Sequence, residues 1–153
     1  MNKLKSILVY FCRKWSSKKR PDAMTKSRLR HMAYLADWKS CLERDRQITD
    51  AQWEKMYGPY LRQFDKELRW GFEYHSHQCC VDEITANEKA EYDLTPEEIK
   101  VLDFVLETSN RKSRSELLLL VRSTYPMMSS GDKETLDLVW LSKYYKEEVR
   151  EHL

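Results

Sequence analysis

Glycine is nearly absent from this 153-residue chain, which has only Gly58, Gly71 and Gly131, all far apart. Phosphate-binding loops and dinucleotide fingerprints need several closely spaced glycines so that backbone amides can approach a phosphate. Both classes are therefore excluded. With four prolines beside the three glycines, there is little material for long linkers. No stretch approaches the roughly 20 apolar residues needed to span a bilayer. The first apolar run is broken by charge and has no small-residue cleavage site, so no cleavable leader is expected. The four cysteines, Cys12, Cys41, Cys79 and Cys80, are then read as free thiols of a cytoplasmic protein.

What is present fits one globular domain. Hydrophobic residues make up 41% and charged residues 34% of the chain, a balance that excludes disorder by composition. A chain of this length buries about 70% of its unfolded surface. The net charge of +2 hides an asymmetry: residues 1–46 hold 13 Lys and Arg against 4 Asp and Glu, and residues 47–153 hold 14 against 21. The basic half is read first as solvated helix faces or as the complement of the acidic half, with an acidic partner as the alternative.

Prolines punctuate the chain, with Pro21, Pro59, Pro96 and Pro126 each placed where a helix would start or stop. Leu4, Ile7, Leu8, Phe11 and Trp15 recur at helical spacing and predict a first helix over 3–18. Thr25 is a plausible N-cap for a second helix over 26–44, with Leu29, Met32, Ala33 and Ala36 as its stripe. Tyr34, Leu35 and Trp38 widen that stripe, so the helix is expected to be buried on most sides. Segment 51–58 fits helix or extended chain equally. Gly58-Pro59 breaks the chain, and Pro59 is placed at the start of a third helix over 60–70. Segment 71–94 reads as a short hairpin or irregular excursion. Thr95-Pro96-Glu97-Glu98 and Ser113-Arg114-Ser115-Glu116 carry the capping-box spacing, opening helices over 96–108 and 114–124. The run Leu117–Val121 implies burial on most sides of the latter, with Pro126 ending it. A last helix over 133–150 is expected to turn Leu136, Val139, Trp140 and Tyr144 inward. The fold expected is mainly α: a compact single-domain bundle of about six helices with the excursion around 71–94.

No catalytic constellation stands out. If 75–80 is a strand, His75, His77 and Cys79 share a face and Cys80 points away. Imidazole and thiolate suit zinc, but no fourth ligand is supplied, so a polar turn with buried thiols is preferred and no metal is assigned. Cys12 and Cys41 fall on apolar helix sides, where cysteine acts as a small hydrophobe. Asp37, within an apolar helix, is read as a structural acceptor for an Arg, a backbone amide or a tyrosine. The basic first helix could lie on nucleic acid or a membrane, but its stripe is also that of a core helix, and the core reading is preferred. Neither candidate helix pair suits a helix-turn-helix. Trp53, Tyr57, Tyr60, Phe64 and Trp70 form an aromatic belt, in which Trp53, Tyr60 and Trp70, together with Tyr74, are tentative partner-binding anchors.

The order Tyr34-Leu35-Ala36-Asp37, Ile48-Thr49, Trp53 and Tyr57-Gly58-Pro59-Tyr60 resembles the Panacea domain, or SocA-like, family of bacterial and phage antitoxins. Leu94-Thr95-Pro96-Glu97-Glu98, the Val101-Leu102-Asp103 helix, the Ser113–Val121 helix and the Thr124-Tyr125-Pro126 turn extend the likeness over most of the chain. A single Panacea-like domain over 1–153 is therefore expected. The resemblance implies a mainly α-helical domain with no enzymatic activity and no cofactor. It also implies a type II antitoxin that binds and neutralises a cognate protein toxin encoded beside it, or, as in one member, delivers that toxin to a protease. Tyr34, Ala36, Asp37, Trp53, Tyr57, Gly58 and Pro59 are its motif residues, read as mostly structural. The His/Cys-rich excursion within 71–92 departs from the family pattern. The acidic half suits a toxin with a basic, RNA- or nucleotide-binding site. The alternative reading is a nucleic-acid-binding regulator using the basic N-terminal half.

Overall fold

The computed structural model describes residues 2–16, 22–76 and 82–149. Among the described residues seven helices surround one core: α1 (Lys3–Ser16), α2 (Lys26–Arg44), α3 (Phe64–Glu67), α4 (Pro96–Asn110), α5 (Arg114–Arg122), α6 (Tyr125–Ser129) and α7 (Leu138–Tyr144), which continues as one π-helical turn over Tyr145–Val149. Two small sheets sit at the margins. Strands β1 (Trp53–Lys55), β2 (Pro59–Tyr60) and β5 (Thr135–Leu136) form one, in the order β2-β1-β5. Strands β3 (Phe72–Ser76) and β4 (Asp82–Ala86) form an antiparallel hairpin. The fold is mainly α, and the expected hairpin within 71–94 is present.

Helix α2 is the axis of the molecule. Thr25 caps it by accepting from Arg28 N, and Asp45 ends it in a left-handed conformation, φ 59°, with its N–H on Cys41 O. Twelve of its residues are buried, far more than the one stripe of a surface helix, because α1, α4, α5 and α7 all pack on it. Arg28, wholly buried, donates to Ser109 O at 3.0 Å, Ser109 Oγ at 2.8 Å and Lys112 O at 3.1 Å. It thereby satisfies carbonyls at the C-terminal end of α4, which no helix can pair internally.

Helix α1 is a core element too, with Ser6 to Cys12 all buried. Three of its cations reach other parts of the chain, and Lys14 is exposed. Lys3 binds Glu98 Oε1 and Asp93 O, both at 2.9 Å. Lys5 donates to the carbonyls of Glu67 and Trp70, and Arg13 to those of Asn87 and Ala90. Lys3 and Arg13 thus stitch down the irregular 87–95 segment, and Lys5 the turn before β3. Both capping boxes are present, Thr95 with Glu98 and Ser113 with Glu116.

Four expectations are corrected. The helix over 60–70 is replaced by strand β2 and the single-turn α3, because the chain after Tyr57 doubles back onto β1, pairing Lys55 with Pro59 and Glu54 with Tyr60. Pro59 is therefore an edge-strand residue, where the missing N–H costs nothing. The helix over 133–150 begins only at Leu138, since Lys133 (φ 71°) turns residues 135–136 onto β1. The later entry, capped by Asp137 onto Trp140 N, rotates the buried face to Leu138 and Ser142. Trp140, expected inside, is 58% exposed, and Tyr144 is exposed as well. Helix α5 buries only Leu117 and Val121, and Leu119 faces solvent, because the helix lies on the periphery. Pro126 does not end that segment: α5 stops at Arg122, and Pro126 sits in the first turn of α6. Pro21 and residues 77–81 lie outside the described residues.

Candidate functional site

The family-like residues converge on Asp37. Its side chain is fully buried on α2 and accepts from Ile48 N at 2.9 Å, Thr49 N at 3.0 Å, Thr49 Oγ1 at 2.5 Å and Trp53 Nε1 at 2.9 Å. Gln47 Nε2 approaches at 3.4 Å and also donates to Thr49 O and Ala51 O. One carboxylate thus fixes the whole loop between α2 and β1. Burial pushes its pKa up to about 6, while the donors, chiefly Thr49 and Trp53, pull it down. Every group aimed at Asp37 is a donor, and no proton acceptor for a substrate is left free. The arrangement is a structural knot that ties the loop to α2.

Trp53, wholly buried, packs edge-on against Tyr34 with centroids 5.7 Å apart. The Tyr34 hydroxyl and Thr124 Oγ1 share a hydrogen bond of 2.7 Å, which ties α2 to the α5–α6 corner. Ala36 is buried on the same helix. Tyr57 takes a left-handed conformation, φ 63°, in the turn into β2. Arg122 Nε holds its carbonyl at 2.7 Å, and Arg30 Nε holds Pro59 O at 3.1 Å. Behind this turn His31 is buried. Burial first, then Arg30, Arg122 and Arg28, push its pKa down to about 4, so it stays neutral. A Cβ on Gly58 would meet His31 Nε2 at 3.9 Å and Leu118 Cδ1 at 3.8 Å.

The motif residues therefore build the scaffold. These sequence features match the family described as antitoxin SocA-like, Panacea domain, over residues 29–127. The chain belongs to the Panacea-domain antitoxin family. No curated protein and no solved structure matches the chain. The matched span omits α1, β5 and α7, although α1 and β5 pack into the same core as the Panacea residues.

The surface of this Panacea protein offers other groups. Of the anchors expected from sequence, Trp53 is interior and presents nothing to a partner, because its indole is committed to Asp37. Tyr60 is exposed, Trp70 is 80% exposed and Tyr74 52% exposed. The Tyr74 hydroxyl is anchored on Leu68 O at 3.0 Å. His75 bonds Thr85 Oγ1 across the hairpin at 3.0 Å. His77, Cys79 and Cys80, the other members of the metal cluster considered above, lie outside the described residues. Cys12 and Cys41 are buried free thiols, with pKa values pushed up to about 12, chiefly by burial, and are unfit as nucleophiles.

Two surface features were not legible in the sequence. An apolar groove of about 320 Å³ runs between α2, α4 and α5, lined by Leu35, Trp38, Leu42, Phe104, Val105 and Leu120. Phe104 is 55% exposed at its rim, with Lys39 Nζ 3.7 Å from the ring centroid. From Trp38 an aromatic ladder climbs outward: Trp38 to Tyr145 at 6.2 Å, Tyr145 to Tyr125 at 5.4 Å, Tyr125 to Tyr144 at 6.2 Å, and Tyr144 stacked on Trp140 at 5.4 Å. The only signal for the groove was the widening of the α2 stripe at Leu35 and Trp38.

Proposed function

We propose that this protein is a non-catalytic antitoxin that binds and neutralises a protein toxin encoded beside it, in the manner of a type II system. Membership of the antitoxin family carries the proposal. The structure supports it by what the motif residues do: Asp37, Thr49, Trp53 and Tyr34 are consumed in internal bonds, so their chemistry is that of a scaffold for binding. The Leu35–Trp38–Phe104 groove and the adjoining ladder ending at Trp140 form one continuous apolar and aromatic face. Exposed faces of this composition mark protein interfaces, and Trp and Tyr are the residues most often found as their anchors. Tyr60, on the far side of the β2 turn, is a secondary contact in this reading. A domain of this size can bury a standard interface of roughly 1,600 Å² in total, enough to occlude a toxin active site. The acidic 47–153 half favours a toxin with a basic site.

Co-expression with the product of the neighbouring open reading frame tests this, in cells that this product alone arrests. Rescue of growth with co-purification of both chains supports the proposal. A neighbour that is harmless alone, or toxicity that persists, overturns it. If the protein binds nucleic acid instead, its affinity falls steeply with salt as counterions are released, whereas a packed apolar interface changes little. Charge reversal of surface Asp and Glu in 47–153 should weaken inhibition; intact inhibition removes the electrostatic part of the reading.

A further inference from the structure

The β3–β4 hairpin leaves one strand edge open. Ile84 N points away from β3, donating to Met24 O at 2.9 Å, and Asn87 N donates to Gly71 O at 2.7 Å. Antiparallel ladders alternate between hydrogen-bonded and non-hydrogen-bonded pairs. Tyr74, opposite Ile84, is therefore in a non-hydrogen-bonded pair, and so are Phe72 and Ser76. The N–H and C=O groups of Phe72, Tyr74 and Ser76 accordingly point to the free edge. Among the described residues no strand lies beyond β3. Every residue of β3 after Phe72 is exposed, and the exposed Trp70 stands just ahead of it. Natural edges are usually protected by lysine, proline or a bulge. Phe72-Glu73-Tyr74-His75-Ser76 has none of these, and its register with β4 is unbroken.

The order of side chains on this edge selects its occupant. Let a second copy of the strand pair antiparallel with the first about a two-fold axis at Tyr74. Tyr74 then exchanges both backbone hydrogen bonds with its symmetry mate, and Phe72 does so with Ser76 of the other copy, in both directions. Glu73 falls opposite His75 of the other copy, twice, in the close non-hydrogen-bonded pairs where side chains interact most. A slip of the axis by one residue in either direction places Glu73 against Glu73 or His75 against His75. One register alone thus sets a carboxylate opposite an imidazole in both directions. We propose that two copies of this protein associate through β3, forming a continuous four-stranded sheet β4-β3-β3-β4 with Tyr74 on the dyad. The pairing would extend a hairpin that is already anchored on α1 through β4, with Ile84 buried in the core. It leaves the α2–α4–α5 groove free, so each copy can hold its own partner.

Sedimentation equilibrium on the purified full chain over a range of concentrations tests the proposal. The expected result is a mass rising towards two chains. Tyr74→Pro removes an outward N–H without breaking a backbone bond of the hairpin; it and Tyr74→Ala both lose the hydroxyl bond to Leu68 O, so their melting temperatures should match, while Tyr74→Pro gives a monomer and Tyr74→Ala stays dimeric. Should Tyr74→Pro fail to fold, the exposed His75 provides a second route. His75→Glu sets like charges opposite each other twice and should weaken the dimer on the order of tenfold, and the double variant Glu73→Lys/His75→Glu should restore it. A wild-type chain that stays monomeric, a Tyr74→Pro variant as dimeric as wild type, or a His75→Glu variant with undiminished association overturns the proposal. These measurements use no toxin, so their outcome is separate from growth rescue. If wild type is monomeric and Tyr74→Pro abolishes toxin co-purification, the edge belongs to the toxin and the self-pairing is overturned.

Discussion

Asp37 and His31 sit on one helix and are buried with opposite electrostatic consequences. The carboxyl is raised to about 6, so its contribution to stability is fully present below the usual carboxylate range and is lost as pH rises through 6. The imidazole is lowered to about 4, so its contribution is fully present above about 6.5 and is lost as pH falls through 4. Each contribution is on the order of 3 kcal/mol at 1.36 kcal/mol per pH unit, and the two offset each other between pH 4 and 6. Urea unfolding across that window should separate them. Stability of Asp37→Asn relative to wild type should rise with pH, and that of His31→Gln should fall. Parallel slopes would show that one of the two groups is not perturbed in this direction. Asp37→Asn should also be destabilised at every pH, because its NH2 replaces one carboxylate oxygen and must face either the Ile48 and Thr49 amides or the Trp53 indole N–H, leaving those donors unpaired. The glycines give a second contrast. Gly58 has ordinary contacts waiting for a Cβ, while Gly71 has φ +91°. Gly58→Ala should cost little or stabilise by about 0.4–1 kcal/mol, and Gly71→Ala should lower the melting temperature.

At the scale of elements, the helices begin where short-range chemistry says they must. Thr95 accepts from Glu98 N at 3.2 Å, and Glu98 Oε1 returns to Thr95 N at 2.8 Å. Glu98 also holds Lys3 of α1. Burial pushes this carboxyl up, but the Thr95 amide and Lys3 outweigh it and hold its pKa below the usual value. Thr95→Ala therefore loosens both a cap and the α1–α4 contact, and should cost about 1–2 kcal/mol. Ser113→Ala, at an exposed box, should cost less. Equal losses in thermal melts would mean that the Lys3 link adds nothing. The capping boxes were readable because they are local, four-residue patterns. Strands β1, β2 and β5 were not: two- and three-residue strands carry no period, β2 forms by a tight turn back onto β1, and β5 reaches β1 from the far part of the chain. The misplaced third helix and the late start of α7 share this cause.

Over the whole molecule, the interior and the surface divide the aromatic residues. Trp53 is drawn inside by Asp37, and Trp140 is turned outward by the entry angle of α7, the reverse of the sequence expectation for both. Phe104→Asp in the groove should leave the melting temperature nearly unchanged, since the ring is half exposed, yet abolish growth rescue and co-purification with the toxin. Trp140→Ala should weaken both more mildly. If Phe104→Asp still rescues fully, the groove is not the toxin-binding face. Among the described residues no helix is long and apolar enough to cross a membrane, in line with the absence of long apolar runs.

The sequence by itself determined the helical class, the starts of α2, α4 and α5, the hairpin region and the family, because caps, periodicity and ordered short motifs are written in neighbouring residues. It also marked Asp37 as a structural acceptor. Only the tertiary structure decided that Ile48, Thr49 and Trp53 are the donors, that Lys3, Lys5 and Arg13 of α1 bond other parts of the chain, and that the groove, the ladder and the β3 edge lie at the surface. Burial and pairing depend on which distant segments arrive together, and a one-dimensional pattern holds that information only in part.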